Sequence, residues 1–145
     1  MPKEKSKRQN KNIQKPKVIK MTNYPVGDFL IRFKNISRSG KKEFVVARTN
    51  LVEAVAKSLQ HLGYIKEVLK EDNTLRIIIA YVKKEPVLSN IKIISKPGLR
   101  IYMGKEELES YRSPSFLLLS TSKGILSSRE AIKKGVGGEV LAEVL

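Results

Sequence analysis

Two stretches in the first part of the chain place apolar side chains at helical spacing, and each must bury the face it makes. Val26, Phe29, Leu30, Phe33 and Ile36 form the first face, with Pro25 suited to the opening turn and Gly40 to a stop just beyond. Leu51, Val52, Val55, Ala56, Leu59 and Leu62 form the second, ended by Gly63, and Asn50 three residues ahead of Glu53 reads as its capping box. β-forming runs lie between and after them. Residues 43 to 48 read as a strand around Phe44-Val45-Val46. Residues 64 to 69 and 75 to 82 read as two more, joined into a hairpin through Glu71-Asp72-Asn73. The first part of the chain is therefore expected to be α-β-α-β-β.

Lys83-Lys84-Glu85-Pro86 shifts the composition, and proline cannot extend a sheet's hydrogen-bond ladder, so a boundary is expected there. Short strands follow. Residues 91 to 95 and 100 to 103 flank Lys96-Pro97-Gly98, where Pro suits the first central position of a type II turn and Gly the one needing positive φ. Residues 106 to 111 make a short polar helical turn, and 117 to 119 a strand. Ser127, three residues before Glu130, caps a short helix through Lys134 that Gly135 ends, and residues 138 to 145 form a closing strand. The fold class expected is α+β in two small lobes: an α-β-α-β-β amino lobe over residues 21–85 and a β-rich carboxyl lobe with one short helix over residues 86–145. A chain of 145 residues with 41% apolar side chains can bury a modest core.

Charge narrows the function. A net +15 argues for a polyanionic partner held through phosphate contacts. In residues 1–20, eight basic side chains (Lys3, Lys5, Lys7, Arg8, Lys11, Lys15, Lys17, Lys20) oppose Glu4, which gives +7. With almost no apolar content this reads as a disordered basic extension, ordering along RNA phosphates or simply solvated. Nucleic acid or an anionic membrane surface could both supply the polyanionic partner. No apolar run approaches a membrane span and the amino end lacks a signal peptide's apolar region, so a cytoplasmic protein is the default expectation, and nucleic acid with no membrane partner is the reading taken. The lack of cysteine removes disulfides, thiol catalysis and thiolate metal sites. His61, the only imidazole, sits near a helix end, where a cation offsets the dipole, and has no evident acid-base partner. No metal, cofactor or small-molecule substrate is expected.

Ser120-Thr121-Ser122-Lys123-Gly124 follows the apolar run Leu117-Leu118-Leu119 and ends in a glycine suited to a turn. Hydroxyls both donate and accept, so three in a row beside one lysine suit sugar 2′-OH groups, base edges and phosphates, and no core needs such a string. Gly137 and Gly138 would let protein backbone or an RNA sugar approach closely, or serve a purely structural turn. Glu139 could accept from base amino or 2′-OH groups, orient a neighbouring lysine or hydroxyl, or be an ordinary strand residue. Lys96 and Arg100 suit phosphates, with Tyr102 presenting ring and hydroxyl. Arg32, Lys34 and Arg38, on the polar face of the first helix, fit phosphate contact or plain solvation.

Two motifs mislead. Ser120 and Lys123 match the S-x-x-K of Ser/Lys acyl-transfer enzymes, but that device sits at a helix start and needs S-D-N and K-T-G partners the chain lacks. The glycines of residues 135 to 138 follow a helix and precede a strand, the reverse of a dinucleotide-binding loop.

The strings STSKG and REAIKKGVGGEVL resemble the closing, rRNA-gripping segment of the bacterial small-ribosomal-subunit protein eight family. Pro25-Val26-Gly27-Asp28-Phe29-Leu30-Ile31-Arg32-Phe33-Lys34-Asn35 resembles its opening helix, Ser95-Lys96-Pro97-Gly98-Leu99-Arg100-Ile101-Tyr102 its central turn, and Met21-Thr22 its start. The resemblance implies a non-catalytic structural constituent of the small ribosomal subunit, in the cytoplasm. It further implies binding to the central domain of small-subunit rRNA, support of assembly and translation, and neighbours among ribosomal proteins. The RNA-binding residues it implies are Ser120, Thr121, Ser122, Lys123, Gly124, Gly137, Gly138, Glu139, Lys96, Pro97, Gly98, Arg100, Tyr102, Thr22, Arg32, Lys34 and Asn35. Two segments depart from the family: Arg112-Ser113-Pro114-Ser115 stands where many members carry G-x-G, and Ala142-Glu143-Val144-Leu145 lacks an aromatic end. Outside the family, the residues leave a non-ribosomal basic RNA-binding or membrane-surface module, or a Ser/Lys hydrolase.

Overall fold

A computed structural model describes residues 24–145, so the basic extension of residues 1–20, Met21 and Thr22 lie outside the described residues. Helix α1 (Pro25–Ser39) starts at its proline, buries Val26, Phe29, Leu30 and Phe33, and stops at Gly40, whose φ is 81°. Phe29 and Phe33 stack on Phe44 of strand β1 (Glu43–Ala47), with ring centroids 6.0 and 6.2 Å away. Helix α2 (Asn50–His61) buries Val52, Val55, Ala56 and Leu59.

The capping residue of α2 is Thr49 and not Asn50: the Thr49 hydroxyl accepts from the Val52 N–H at 3.1 Å. Glu53 consequently takes no part in a capping box. Its carboxylate lies 3.1 Å from Arg48, 3.0 Å from Lys57 and 3.3 Å from Lys70.

Strands β2 (Ile65–Glu71) and β3 (Thr74–Ile79) form the expected hairpin, and the sheet order is β1-β3-β2, all antiparallel. Phe44, Val46, Leu75 and Ile77 are buried on one face, while Val45 and Arg76 lie paired on the other. The strand expected to run to Val82 ends at Ile79. Tyr81 and Val82 form β4 (Tyr81–Val82), which pairs with β5 (Glu85–Pro86) around Lys83-Lys84. The segment read as a boundary is thus a tight hairpin, and Pro86 is tolerated because its strand ends there.

The rest comprises β6 (Ile91–Ile93), β7 (Tyr102–Met103), α3 (Lys105–Ser110), β8 (Phe116–Thr121), β9 (Gly124–Ser127), α4 (Ser128–Lys134) and β10 (Gly138–Val144). The sheet order is β9-β8-β10-β6, and β7 pairs with the first residues of β10. A bulge between Val140 and Ala142 shifts the β8–β10 register. Ser127 and Glu130 do form a reciprocal capping box at α4. The fold is α+β, as expected, but two short helices, α3 and α4, follow residue 86 where one was expected. The polar turn over residues 106–111 completes as a helix, with Glu107 bonded back to the Gly104 N–H.

The larger core cluster joins α1, α2 and the first sheet to Leu88, Ile91, Leu118, Leu141, Ala142 and Val144, so it draws on both sides of residue 85. A smaller cluster of Leu108, Leu117, Leu119, Leu126, Ala131 and Val140 lies on the other face of the second sheet. Around Arg112-Ser113-Pro114-Ser115, the Ser115 and Tyr111 hydroxyls donate to the Glu143 carboxylate at 2.6 and 2.7 Å. These bonds hold the Glu143 carboxyl below the usual range. At the chain end, the Leu145 carbonyl accepts from Ser89 and Asn90 N–H at 2.7 and 3.0 Å, so main-chain bonds anchor it without an aromatic side chain.

Candidate nucleic-acid interface

Strand β8 continues past its buried leucines into Ser120 and Thr121, and a two-residue loop, Ser122-Lys123, returns the chain to β9 at Gly124. Thr121 spends its hydroxyl on that turn: it donates to the Gly124 carbonyl at 2.8 Å and accepts from the Lys123 N–H at 3.0 Å. Gly124 has φ of 104°, in the left-handed region. Ser122 and Lys123 are exposed at the tip, and neither side chain has a partner among the described residues. The three hydroxyls are therefore not equivalent, although they are contiguous in sequence.

Ser120 pairs with Glu139 of β10, which pairs on its other side with Tyr102 of β7. Directly opposed residues of neighbouring strands project to one face, so Tyr102, Glu139 and Ser120 form a row. Leu118, two residues before Ser120 on the same face, is buried in the main core; the row marks where the sheet outruns that core. Tyr102 is 65% exposed, so its ring as well as its hydroxyl faces solvent. Gly137 and Gly138 make the row possible in a plain steric way. A Cβ on Gly138 would collide with the Ser120 carbonyl and one on Gly137 with the Met103 carbonyl, so protein backbone fills the space next to both.

The far end of the central turn comes to the same place. Lys96 and Leu99 exchange both backbone hydrogen bonds at 2.9 Å around Pro97 and Gly98, whose φ is 83°. Buried Ser95 ties the turn down: its hydroxyl donates to the Val140 carbonyl at 2.6 Å and accepts from the Ile101 N–H at 3.0 Å. Arg100 then reaches Glu139 at 3.2 Å, and its guanidinium lies 5.2 Å from the centre of the Tyr24 ring. Tyr24 donates to the Ser95 carbonyl at 2.7 Å, and burial pushes its phenol above the usual 10 against the opposing pull of Arg100. Glu139 is thus paired with Arg100, a partner the sequence did not single out.

The family model for ribosomal protein S8 matches residues 24–145. The chain belongs to the ribosomal protein S8 family. It is 40% identical over 133 residues to small ribosomal subunit protein uS8 of a Nitratiruptor species, covering 86% of this chain and 99% of that one. The uS8 proteins of Halothermothrix orenii and Streptococcus pneumoniae serotype 19F are 39% and 36% identical over 126 residues each, covering 83% of this chain and 96% of theirs.

A ribosomal protein S8 is a structural, non-enzymatic protein. Ser120 lies on a strand and not at a helix start, opposite Glu139, so the S-x-x-K arrangement of an acyl-transfer enzyme is not formed. His61 Nε2 lies 3.6 Å from Glu130, a partner the sequence did not reveal, but the imidazole is 76% exposed and Glu130 serves the α4 capping box.

Most of the residues named from sequence fall into two groups. Ser120 through Gly124, Gly137 through Glu139, Arg100 and Tyr102 converge on one end of the second sheet. Lys34 and Lys96 instead share a groove of about 530 Å³ with Lys92, floored by Leu30, Ile91 and Ile93, and Lys34 donates to the Ile91 carbonyl at 3.4 Å. Arg32 belongs to neither: its guanidinium sits 5.9 Å from the Phe44 ring, on the side of the first sheet. Asn35 is exposed, and Thr22 lies outside the described residues. Sequence reasoning missed Tyr24 and Ser95. Their roles come from partners about seventy and forty-five residues away, at Ser95 and Val140, which no local pattern encodes.

Proposed function

We propose that the chain is a structural constituent of the small ribosomal subunit that binds the central domain of small-subunit rRNA, in the cytoplasm, and supports subunit assembly and translation. The observation that carries the reading is the row Tyr102, Glu139, Ser120, three polar side chains on a sheet face that has outrun its core. Such a row suits the shallow groove of folded RNA. A tyrosine ring offers a stacking surface for a base or sugar, the serine hydroxyls of residues 120 and 122 reach 2′-OH groups, and Glu139 accepts from amino groups. Arg100 compensates the charge of Glu139, so an acid can stand in an RNA interface without repelling it. Lys123 at the loop tip and Lys96 on the central turn take phosphates. The backbone fit of Gly137 and Gly138 holds the strands at the spacing the row needs.

The test is a titration of variants against a central-domain rRNA fragment and an unrelated RNA duplex at several salt concentrations. Ser120→Ala and Ser122→Ala should each lose about 0.5–1.5 kcal/mol on the cognate fragment and far less on the duplex. Lys123→Ala should weaken both RNAs and reduce the slope of log K against log salt by about 0.7 to 0.9. Equal losses on both RNAs for the serine variants would mean that the row carries no specificity. Thr121→Ala belongs in a separate class, since its hydroxyl closes the turn and its removal acts on the fold first.

A further inference from the structure

The loop Lys83-Lys84 closes the β4–β5 hairpin with φ of 53° and 70°. Positive φ at both central residues of a two-residue hairpin loop is the type I′ pattern, which favours Asn-Gly or Asp-Gly; long side chains enter the left-handed region against steric resistance. This chain keeps a lysine at each position. The hairpin is nevertheless firmly seated. Tyr81 Oη donates to the Lys41 carbonyl at 2.6 Å and Val87 N–H to the Ala80 carbonyl at 3.0 Å. The first bond sets the hairpin beside Lys41 and Lys42, and all four lysines are exposed. None of the four has an ion-pair partner among the described residues.

We propose that this hairpin tip is a second phosphate-binding site, in which Lys83 and Lys84, with Lys41 and Lys42, hold the RNA backbone away from the β8–β9 turn. The proposal rests on the reading that the chain binds small-subunit rRNA, and it adds a separate grip on a different part of the molecule. Non-glycine residues in the left-handed region persist where the surrounding structure holds them there, and they cluster at ligand-holding sites. Lysine ammonium groups act as point charges on phosphate and read no sequence. A tip already fixed by its own backbone pairing and by Tyr81 has little freedom left to lose on binding.

The experiment uses the full chain and a transcript of small-subunit rRNA. K83N/K84G keeps the turn, relieves its strain and removes two charges. Its Tm should rise by about 2–4 °C, while its slope of log K against log salt falls by about 0.7 to 0.9 per lysine. K83Q/K84Q removes the charges but keeps the strain, and should show the same fall in slope with no gain in Tm. K83R/K84R keeps both and should match the unmodified chain. A slope unchanged in K83N/K84G, or a fall in only one of the two charge-removing variants, overturns the site. A slope unchanged on rRNA together with absence of the variant from assembled small subunits means that the lysines face a protein, which also overturns it. No salt-dependent affinity of the unmodified chain for the transcript would instead overturn the rRNA-binding reading on which the site rests.

Discussion

Glu53 is the residue whose sequence role and structural role differ most. Its position three residues after Asn50 suggests a capping box, yet Lys57, Arg48 and Lys70 surround its carboxylate and hold its pKa at about 2 against the usual 4.5. A carboxyl whose folded pKa is depressed contributes stability that is present above its unfolded pKa and is lost as pH falls through the folded one. That contribution is therefore complete above about pH 4.5 and disappears toward pH 2. Glu53→Gln should unfold at lower urea than the parent at neutral pH and lose less stability between pH 4.5 and 2, which a series of urea midpoints across that range would reveal. Parallel midpoint curves for the two proteins would show that the three cations do not act on this carboxylate. The same distinction applies to Gly138: its type was legible as a sign of close approach, but only the register of β10 on β8 shows that the approaching group is the Ser120 carbonyl.

The helices and most strands were legible because their causes are local. Apolar spacing, Pro25, Gly40 and the Ser127–Glu130 box act within a turn or two of the residues they organise. The start of α2 shows the limit of that reading. Thr49 and Asn50 are adjacent and both favour the capping position, so the pattern alone does not choose. The choice follows from Glu53 being drawn to Lys70 on β2, a contact across seventeen residues, and from Thr49 adopting the extended conformation with φ of −132°. Thr49→Ala should cost about 0.5–2 kcal/mol in chemical denaturation, and Asn50→Ala clearly less. The reverse order would restore Asn50 as the cap. Likewise, nothing in the run Leu75-Arg76-Ile77-Ile78-Ile79-Ala80-Tyr81-Val82 announces that the strand breaks after Ile79. Tyr81 leaves the sheet to bond the Lys41 carbonyl, a partner forty residues away.

For the whole molecule, charge dominates. Residues 1–20 carry +7 of the net +15 and contain no aromatic residue to read a base. Deleting them should lower rRNA affinity at low salt and reduce the salt slope by about 0.7 to 0.9 for each phosphate the extension holds, leaving the ratio of cognate to unrelated RNA almost unchanged. An unchanged slope in the same titration would remove the extension from the interface. The sequence by itself determined the α+β class, the order of the helices and most strands, and the basic character, since composition and short-range periodicity carry these. The family was legible only through whole motifs such as STSKG and REAIKKGVGGEVL. Only the tertiary structure decided that Thr121 closes a turn while Ser120 joins a row. It also showed that Glu139 pairs with Arg100, and that Lys34 lies beside Lys96 while Arg32 turns to Phe44. Those facts depend on strand register and helix rotation, which are fixed by packing between segments far apart in the chain, and a side chain's neighbours there cannot be read from its neighbours in sequence.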